Sequence, residues 1–407
     1  MLSLSQNTSI PIKILRSHNR TGLIRARLLG ANQAKGNILT FLDAHCEAAI
    51  GWLEPLLERI SENKNYVVCP IIDIIHDETF AYTKSFELHW GAFNWELHFR
   101  WYPIGKQELI KNRMKDKDET IPFRTPVMAG GLFAIDKEYF FQSGSYDPQM
   151  NIWGGENIEM SLRIWQCGGR IEIVPCSHVA HLFRRSSPYS FGDKNVADVL
   201  YSNLARVAEV WLDEWKYFFY KLNPVAAQIL QSDKETKLVN ISQRIALRRK
   251  LKCNSFQWYL NNVWPEHFFP TKERFFGRIK NKQSGKCMER PTSKNGSSSP
   301  VGKIQLKKCA IEIYSPQNFI YTKQGYIMTD ESVCVDVNDN IDNSPALLLA
   351  CNESKRQKWK YDPVNKSLKH LNSDLCLELT TNEILSIKEC TKSLGQTWEL
   401  ESINWQD

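Results

Sequence analysis

Apolar and polar positions alternate in two different styles along these 407 residues. Between 22 and 35, Ile24, Leu28 and Ala31 share one stripe and Arg25 and Arg27 lie off it, which predicts a helix. The run 38–42 is short and apolar and reads as a strand ending at Asp43. A second helix is predicted over 52–60 and a buried strand over 67–72. Strand and helix in alternation indicate a parallel or mixed α/β sheet. Residues 80–122 are aromatic, charged and irregular. After them Gly130 and Gly131 open an apolar strand, 158–167 reads as a helix and 171–174 as a strand. Glycines at a strand mouth let another group approach the backbone closely, although a simple bulge explains them equally well.

Around 265–282 the helical period fades and short strands separated by Asn, Gly, Ser and Lys turns take over. Gln317-Asn318-Phe319, Gln357-Lys358-Trp359 and Gln396-Thr397-Trp398 recur about 40 residues apart, each after its own cysteine pair. The order Cys, Cys, Gln-x-aromatic, met three times, predicts three copies of one all-β unit around a shared core. The spacings Cys287–Cys309, Cys334–Cys351 and Cys376–Cys390 predict one disulfide per repeat, and hence an oxidising compartment.

Composition narrows the class. With 42% hydrophobic and 24% charged residues the chain is globular, and its length suits two or three domains. A net charge of +7 with no dominant Lys/Arg run argues against a nucleic-acid partner. The 13 Trp suit either carbohydrate handling or a core. No run of about 18 apolar residues exists, and the first residues do not form a signal peptide. Sequons at Asn7, Asn19, Asn240, Asn295, Asn352 and Asn365 nevertheless fit secretion. The expectation that reconciles these facts is a further portion ahead of Met1.

The candidate chemistry starts at Asp43-Ala44-His45. If the strand continues through them, positions i and i+2 share a face, and a carboxylate and an imidazole can grip one divalent cation. Trp153-Gly154-Gly155-Glu156-Asn157 places an aromatic and a carboxylate at a helix N-terminus, where backbone N–H groups suit phosphate or hydroxyl. Glu156 reads equally as a plain first-turn carboxylate. His181, after the 171–174 strand, offers a third ligand, and His178 reads as packed. Arg184 and Arg185 lead a Ser- and Tyr-rich stretch and suit diphosphate neutralisation. One carboxylate and two imidazoles suit a manganese-like ion shared with a diphosphate, and hence glycosyl transfer. A zinc hydrolase competes, without an H-E-x-x-H to support it.

Several longer motifs carry a family resemblance: Gly22-Leu-Ile-Arg-Ala-Arg27, Thr40-Phe-Leu-Asp-Ala-His-Cys-Glu47, Trp52-Leu-Glu-Pro-Leu-Leu-Glu-Arg59 and Ala129-Gly-Gly-Leu-Phe133. Trp153-Gly-Gly-Glu-Asn157, Trp165-Gln-Cys-Gly-Gly169 and Ala205-Arg-Val-Ala-Glu-Val-Trp-Leu-Asp-Glu214 extend it. Over roughly residues 10–407 the chain resembles the polypeptide N-acetylgalactosaminyltransferases, which initiate mucin-type O-glycosylation. The resemblance implies an α/β GT-A (Rossmann-like) catalytic domain over 1–262, a linker over 263–282 and a ricin-type β-trefoil lectin domain over 283–403. It implies retaining transfer of GalNAc from UDP-GalNAc to Ser or Thr of a polypeptide or glycopeptide, with Mn2+ on Asp43, His45 and His181. Asp43, Trp153 and Glu156 match the catalytic centre. Arg25, Ala129, Gly130, Gly131, Trp153, Glu156, Arg184 and Tyr189 match substrate contacts. Cys167 and Cys253 match a family disulfide, and the location implied is the lumenal side of the Golgi membrane.

The departures from the pattern are specific. The family's first β-α-β half, including the Asp that reads uracil, has no counterpart here, which leaves Cys176 without its usual partner and a sheet edge exposed. In the lectin repeats the sugar-gripping acid is Glu289, Asp336 and Glu378 in turn, and Pro316, Arg356 and Gly395 replace the Asn before the glutamine. If any repeat holds GalNAc it is the middle one, with Asp336 and Gln357; the alternative is a scaffold domain held by its disulfides. An enzyme is the leading reading for the parent protein, and the chain as it stands, without the first nucleotide-binding half, is expected to be weak or inactive. The alternatives are a catalytically silent GalNAc- or glycopeptide-binding lectin, and a regulatory partner of active transferases.

Overall fold

The computed structural model describes residues 11–84, 89–109, 118–183, 191, 195–236, 240–291, 301–380 and 384–406. They divide into two compact units. The first holds a seven-stranded mixed sheet. Its strands are β1 (Ile38–Phe41), β2 (Cys46–Ala48), β3 (Tyr66–Ile75) and β4 (Tyr82–Thr83), and, after the hairpin β5 (His89–Phe93) and β6 (Phe99–Pro103), β7 (Phe123–Arg124), β8 (Phe133–Asp136) and β9 (Arg170–Leu182). The order is β1-β8-β3-β9-β2, with β4 on β3 and β7 on β9. Only β3 and β9 run parallel, and β3 is buried along nearly its whole length, as an interior strand must be. Helix α1 (Gly22–Gln33) precedes the sheet, and α2 (Glu54–Glu62) packs Leu56 and Ile60 on Val68, Ala134 and Val174.

One irregularity positions the site. Pro70 pairs with Val174, but Ile71 pairs with His178, so Pro175, Cys176 and Ser177 bulge out of β9. Ser177 donates to the Trp52 carbonyl at 2.5 Å, and Cys176 is exposed and unbonded. Beyond the bulge Ile74 faces His181 in register. The disulfide Cys167–Cys253 ties the end of helix Glu156–Gln166 to the chain after helix Ser242–Lys250.

The second unit comprises Phe93–Tyr102, Glu214–Pro224 and Trp264–Asp407. It has three-fold internal logic. Phe319, Trp359 and Trp398 from the three Gln-x-aromatic motifs are fully buried in one core with Ile279, Val335 and Leu377. Each glutamine ties its own repeat together. Gln317, Gln357 and Gln396 donate to Glu289, Asp336 and Glu378 at 2.7, 2.8 and 2.6 Å, and accept the backbone N–H of Ala310, Asn352 and Thr391. A disulfide braces each repeat: Cys287–Cys309, Cys334–Cys351 and Cys376–Cys390.

The segment 263–282, expected as a linker, is structured. Within it β10 (Phe275–Asn281) pairs with three other strands, at Phe319–Tyr321, Trp398–Ser402 and Cys287. Its alternating apolar positions need those partners, because a lone strand leaves its backbone groups unsatisfied. The hairpin tip also belongs to this unit. Trp95, fully buried, donates its indole N–H to Phe268 at 2.7 Å and packs edge-on against Phe218 and Phe276. Asp330 accepts the Trp95 backbone N–H, and Glu331 takes Tyr102 and Asn94.

Two measurements test this packing. Trp95→Ala is expected to destabilise the second unit by about 3–5 kcal/mol, read as an earlier denaturant midpoint for that unit's transition. Asp330 is the other handle: burial first, then the Glu331 charge, pushes its carboxyl up to about 7. Folding therefore tightens its proton, so the stability it contributes is complete below about pH 4 and is lost as pH climbs through about 7. Asp330→Asn keeps an acceptor for the backbone N–H groups of Trp95 and Glu331, and its melting temperature should fall less than the parent's between about pH 5 and pH 8.

Candidate functional site

The sequence expectation put Asp43 and His45 on one strand. Instead β1 stops at Phe41, and residues 42–45 form a turn carrying the chain from β1, at one edge of the sheet, to β2, at the other. Neither residue belongs to a strand, so strand-face alternation does not bring the two side chains together. His45 is held by its carbonyl, which accepts the Leu182 N–H at 3.0 Å, and Cys46 pairs with His181 across the ladder. Ligand atoms of Asp43, His45 and His181 consequently lie within 4.8 Å of one another. The His45 and His181 rings are 4.4 Å apart, and His181 Nε2 is 3.5 Å from Asp43 Oδ2.

The hub is a residue the helical pattern placed off the stripe. Arg27, from α1, donates to Asp43 Oδ1 at 2.7 Å, Gly131 O at 3.1 Å, Tyr146 Oη at 3.1 Å, and Gly130 O. One carboxylate oxygen is thus occupied by a guanidinium while the other faces the imidazoles. Burial works to raise the Asp43 pKa, but the His181 hydrogen bond and the Arg27 charge outweigh it and hold the group below its ordinary value.

The glycine pair serves protein packing. A Cβ on Gly131 would stand 2.6 Å from Asp43 Oδ2, and one on Gly130, where φ is +90°, would stand 2.6 Å from Asn157 Cβ. Ala129 is partly exposed beside them. Glu156 opens helix Glu156–Gln166 and is buried, with Oε2 accepting the Gly154 N–H at 2.7 Å; burial raises its pKa. Trp153, by contrast, is 38% exposed. The loop before Glu156 is fixed by Asn203, fully buried on helix Val196–Trp211, which donates to the carbonyls of Asn151 and Gly154, both at 2.9 Å. Arg25 is exposed and reaches Asn151 Oδ1 at 3.1 Å, so it touches this loop and not the Asp43 cluster. Gly22 brings α1 to the same loop: its Cβ would lie 2.3 Å from Ile152 Cα.

Arg184 and Tyr189 lie outside the described residues. His178 is engaged elsewhere, 2.9 Å from Asp73 Oδ2, which also accepts the Tyr82 hydroxyl at 2.6 Å. In the second unit Asp336 and Gln357 are both fully buried and bonded to each other, and Arg356 Nε stands 3.7 Å from the other oxygen of Asp336. Neither side chain meets solvent as it stands.

Comparisons with known proteins bear on this arrangement. Family models match at 2–140 (glycosyl transferase family 2), 115–185 (N-terminal domain of galactosyltransferase) and 275–400 (ricin-type β-trefoil lectin domain). The chain is 41% identical to polypeptide N-acetylgalactosaminyltransferase 3 of Drosophila melanogaster, covering 98% of this chain and 69% of the relative. It belongs to the polypeptide N-acetylgalactosaminyltransferase family. Human polypeptide N-acetylgalactosaminyltransferase 13 is 43% identical, with 98% and 69% covered. Probable N-acetylgalactosaminyltransferase 6 of Caenorhabditis elegans is also 43% identical, with 97% and 64% covered. Among solved structures, GalNAc-T7 with UDP, GalNAc and Mn2+ superposes with a TM-score of 0.57 at 31% identity, over 96% of this chain and 70% of that one. The first unit is accordingly a GT-A glycosyltransferase domain, and a ricin-type lectin domain follows it.

Within this transferase-family chain, Gly131→Ala tests whether the cluster binds metal. The added methyl group cannot coexist with Asp43 where it stands. Divalent-cation affinity, titrated with Mn2+ by electron paramagnetic resonance well below the melting temperature, should fall about 10- to 100-fold, and the melting temperature should fall as well because displacing Asp43 loosens its pair with Arg27. Unaltered affinity would place the ion elsewhere.

Proposed function

We propose that this chain is a manganese-dependent, retaining polypeptide N-acetylgalactosaminyltransferase that moves GalNAc from UDP-GalNAc to Ser or Thr hydroxyls of polypeptide and glycopeptide acceptors. The observation that carries the proposal is the convergence of Asp43, His45 and His181, from two distant points in the chain, around a carboxylate that Arg27 fixes in place. One carboxylate and two imidazoles are a donor set that suits Mn2+. An ion held there would neutralise the diphosphate and stabilise UDP as it leaves.

The chain's own groups do the rest of the work. Glu156, buried and oriented by the Gly154 N–H, presents a carboxyl to the sugar hydroxyls, and Gly131, with no side chain of its own, leaves Asp43 room beside the backbone. Trp153 is 38% exposed, and in this proposal it covers the nucleotide sugar. Arg184 and Tyr189 complete the nucleotide contacts in this proposal. No enzymic nucleophile is invoked, and the acceptor hydroxyl passes its proton to the departing phosphate oxygen. The four disulfides support an oxidising lumen, and in this reading the protein acts on the lumenal side of the Golgi membrane. None of the described helices is long and apolar enough to cross a membrane. A purely lectin-like role would draw on Asp336 and Gln357, whose burial gives it less support.

Calorimetric titration with UDP tests the site. Binding in the micromolar range, about −8 kcal/mol, is expected with Mn2+ present, weakening severely without it and in Asp43→Asn. Transfer of GalNAc to a Ser/Thr peptide, followed by mass, is the companion assay. Binding of UDP that ignores both Mn2+ and Asp43 would overturn the proposal.

A further inference from the structure

Of the six sequons, four lie among the described residues, at Asn19, Asn240, Asn352 and Asn365, and all four asparagines are exposed. Their local geometry is not equivalent. At Asn240 the side-chain Oδ1 accepts both the backbone N–H of Ser242 at 3.2 Å and its hydroxyl at 2.8 Å. At Asn352, Oδ1 accepts the Ser354 N–H at 3.0 Å. Each is an Asx turn closed onto the residue two positions on. Such a turn polarises the amide: donors at Oδ1 stabilise the charge that gathers on oxygen when the nitrogen gives up a proton. Among the described residues neither Nδ2 has a partner, so in both the nitrogen is the free end.

Asn365 is arranged the other way round. Its Nδ2 donates to Asp362 Oδ2 at 2.6 Å, inside the turn Asp362-Pro363-Val364-Asn365, so the nitrogen is the engaged end. That turn is local, with Pro at its second position, and forms without help from the rest of the chain. Asn19 has no hydrogen bond among the described residues, and geometry neither prepares nor blocks it.

The backbones at the two prepared positions are anchored. The Asn240 carbonyl accepts from the buried Arg206 at 2.7 Å. The Asn352 N–H is held by Gln357 Oε1 at 2.9 Å, next to the Cys334–Cys351 bridge. A bulky group on either side chain would project into solvent without disturbing those contacts.

We propose that Asn240 and Asn352 are N-glycosylated and that Asn365 is not. The donor class is an oligosaccharide linked through its anomeric carbon to a lipid diphosphate, used by the host's oligosaccharide-transferring enzyme. The Nδ2–C1 bond forms as the C1–O bond to phosphate breaks. The lipid diphosphate leaves with that electron pair, and a base on the transferring enzyme takes the amide proton. The inference rests on the lumenal location proposed above.

The test is the full chain expressed behind a cleavable secretion leader in a eukaryotic cell. It is then treated with peptide N-glycosidase F in 18O-water, which converts each formerly glycosylated Asn to labelled Asp. Label is expected at 240 and 352 and absent at 365. Asn240→Gln and Asn352→Gln should each remove one glycan from the intact mass. Reading the label on the parent chain keeps the answer independent of whether a variant folds. A secreted, fully disulfide-bridged chain unlabelled at 240 and 352, or labelled at 365, overturns the proposal and leaves the lumenal reading standing. A chain whose cysteines stay reduced overturns both.

Discussion

The first unit depends on one buried guanidinium. Arg27 is 8% exposed and has as partners the carboxylate of the turn after β1, two consecutive carbonyls ahead of β8, and the Tyr146 hydroxyl. A planar fork with five donors can serve all of these at once, which a lysine cannot. A buried charge left without its acceptors costs several kcal/mol. The four partners therefore hold Arg27 as firmly as it holds them. The orientation of Asp43 is a by-product of that mutual satisfaction, and it is what leaves one carboxylate oxygen facing the two imidazoles.

A second network, centred on Asn203, does for the Trp153 loop what Arg27 does for Asp43. Its amide takes the Asn151 N–H at 2.9 Å on one side and carbonyls on the other, so the loop enters helix Glu156–Gln166 along a fixed path. Both networks use a helix as a rigid post from which one polar side chain reaches across to irregular backbone. Irregular backbone is where ligands are met, and it needs such posts because it cannot satisfy its own N–H and C=O groups.

Much of this was legible in the sequence, and the illegible part has a common cause. Asp43, His45 and His181 are flagged by chemistry, since a carboxylate and imidazoles near strand ends are rare enough to notice. The Cys and Gln-x-aromatic repeats are flagged by recurrence. What escaped were roles fixed by contacts distant in the chain. Arg27 meets Gly130 and Gly131 across 103 and 104 residues, and nothing local separates it from the exposed Arg25. The glycine pair reads as a bulge or as room for another group because the sequence does not reveal that Asn157 and Asp43 lie against it. Gln357 reads as a sugar contact, whereas its amide is committed to an acid and a carbonyl of its own repeat, as are those of Gln317 and Gln396. The segment 263–282 reads as a linker because a strand completed only by later partners has no signature of its own.

The membership of Trp95 in the second unit has a consequence for how the protein is made. Its backbone is held by Asp330, 235 residues further along the chain. At roughly 5–20 residues per second a ribosome needs about ten seconds to a minute to deliver that partner. For that interval a large indole with no finished core to enter lies in a nascent chain whose first sheet can assemble once β9 has been made. Synthesis therefore passes through a stage with an apolar hairpin tip waiting for its socket, and a chaperone that shields such segments is the natural companion of that stage.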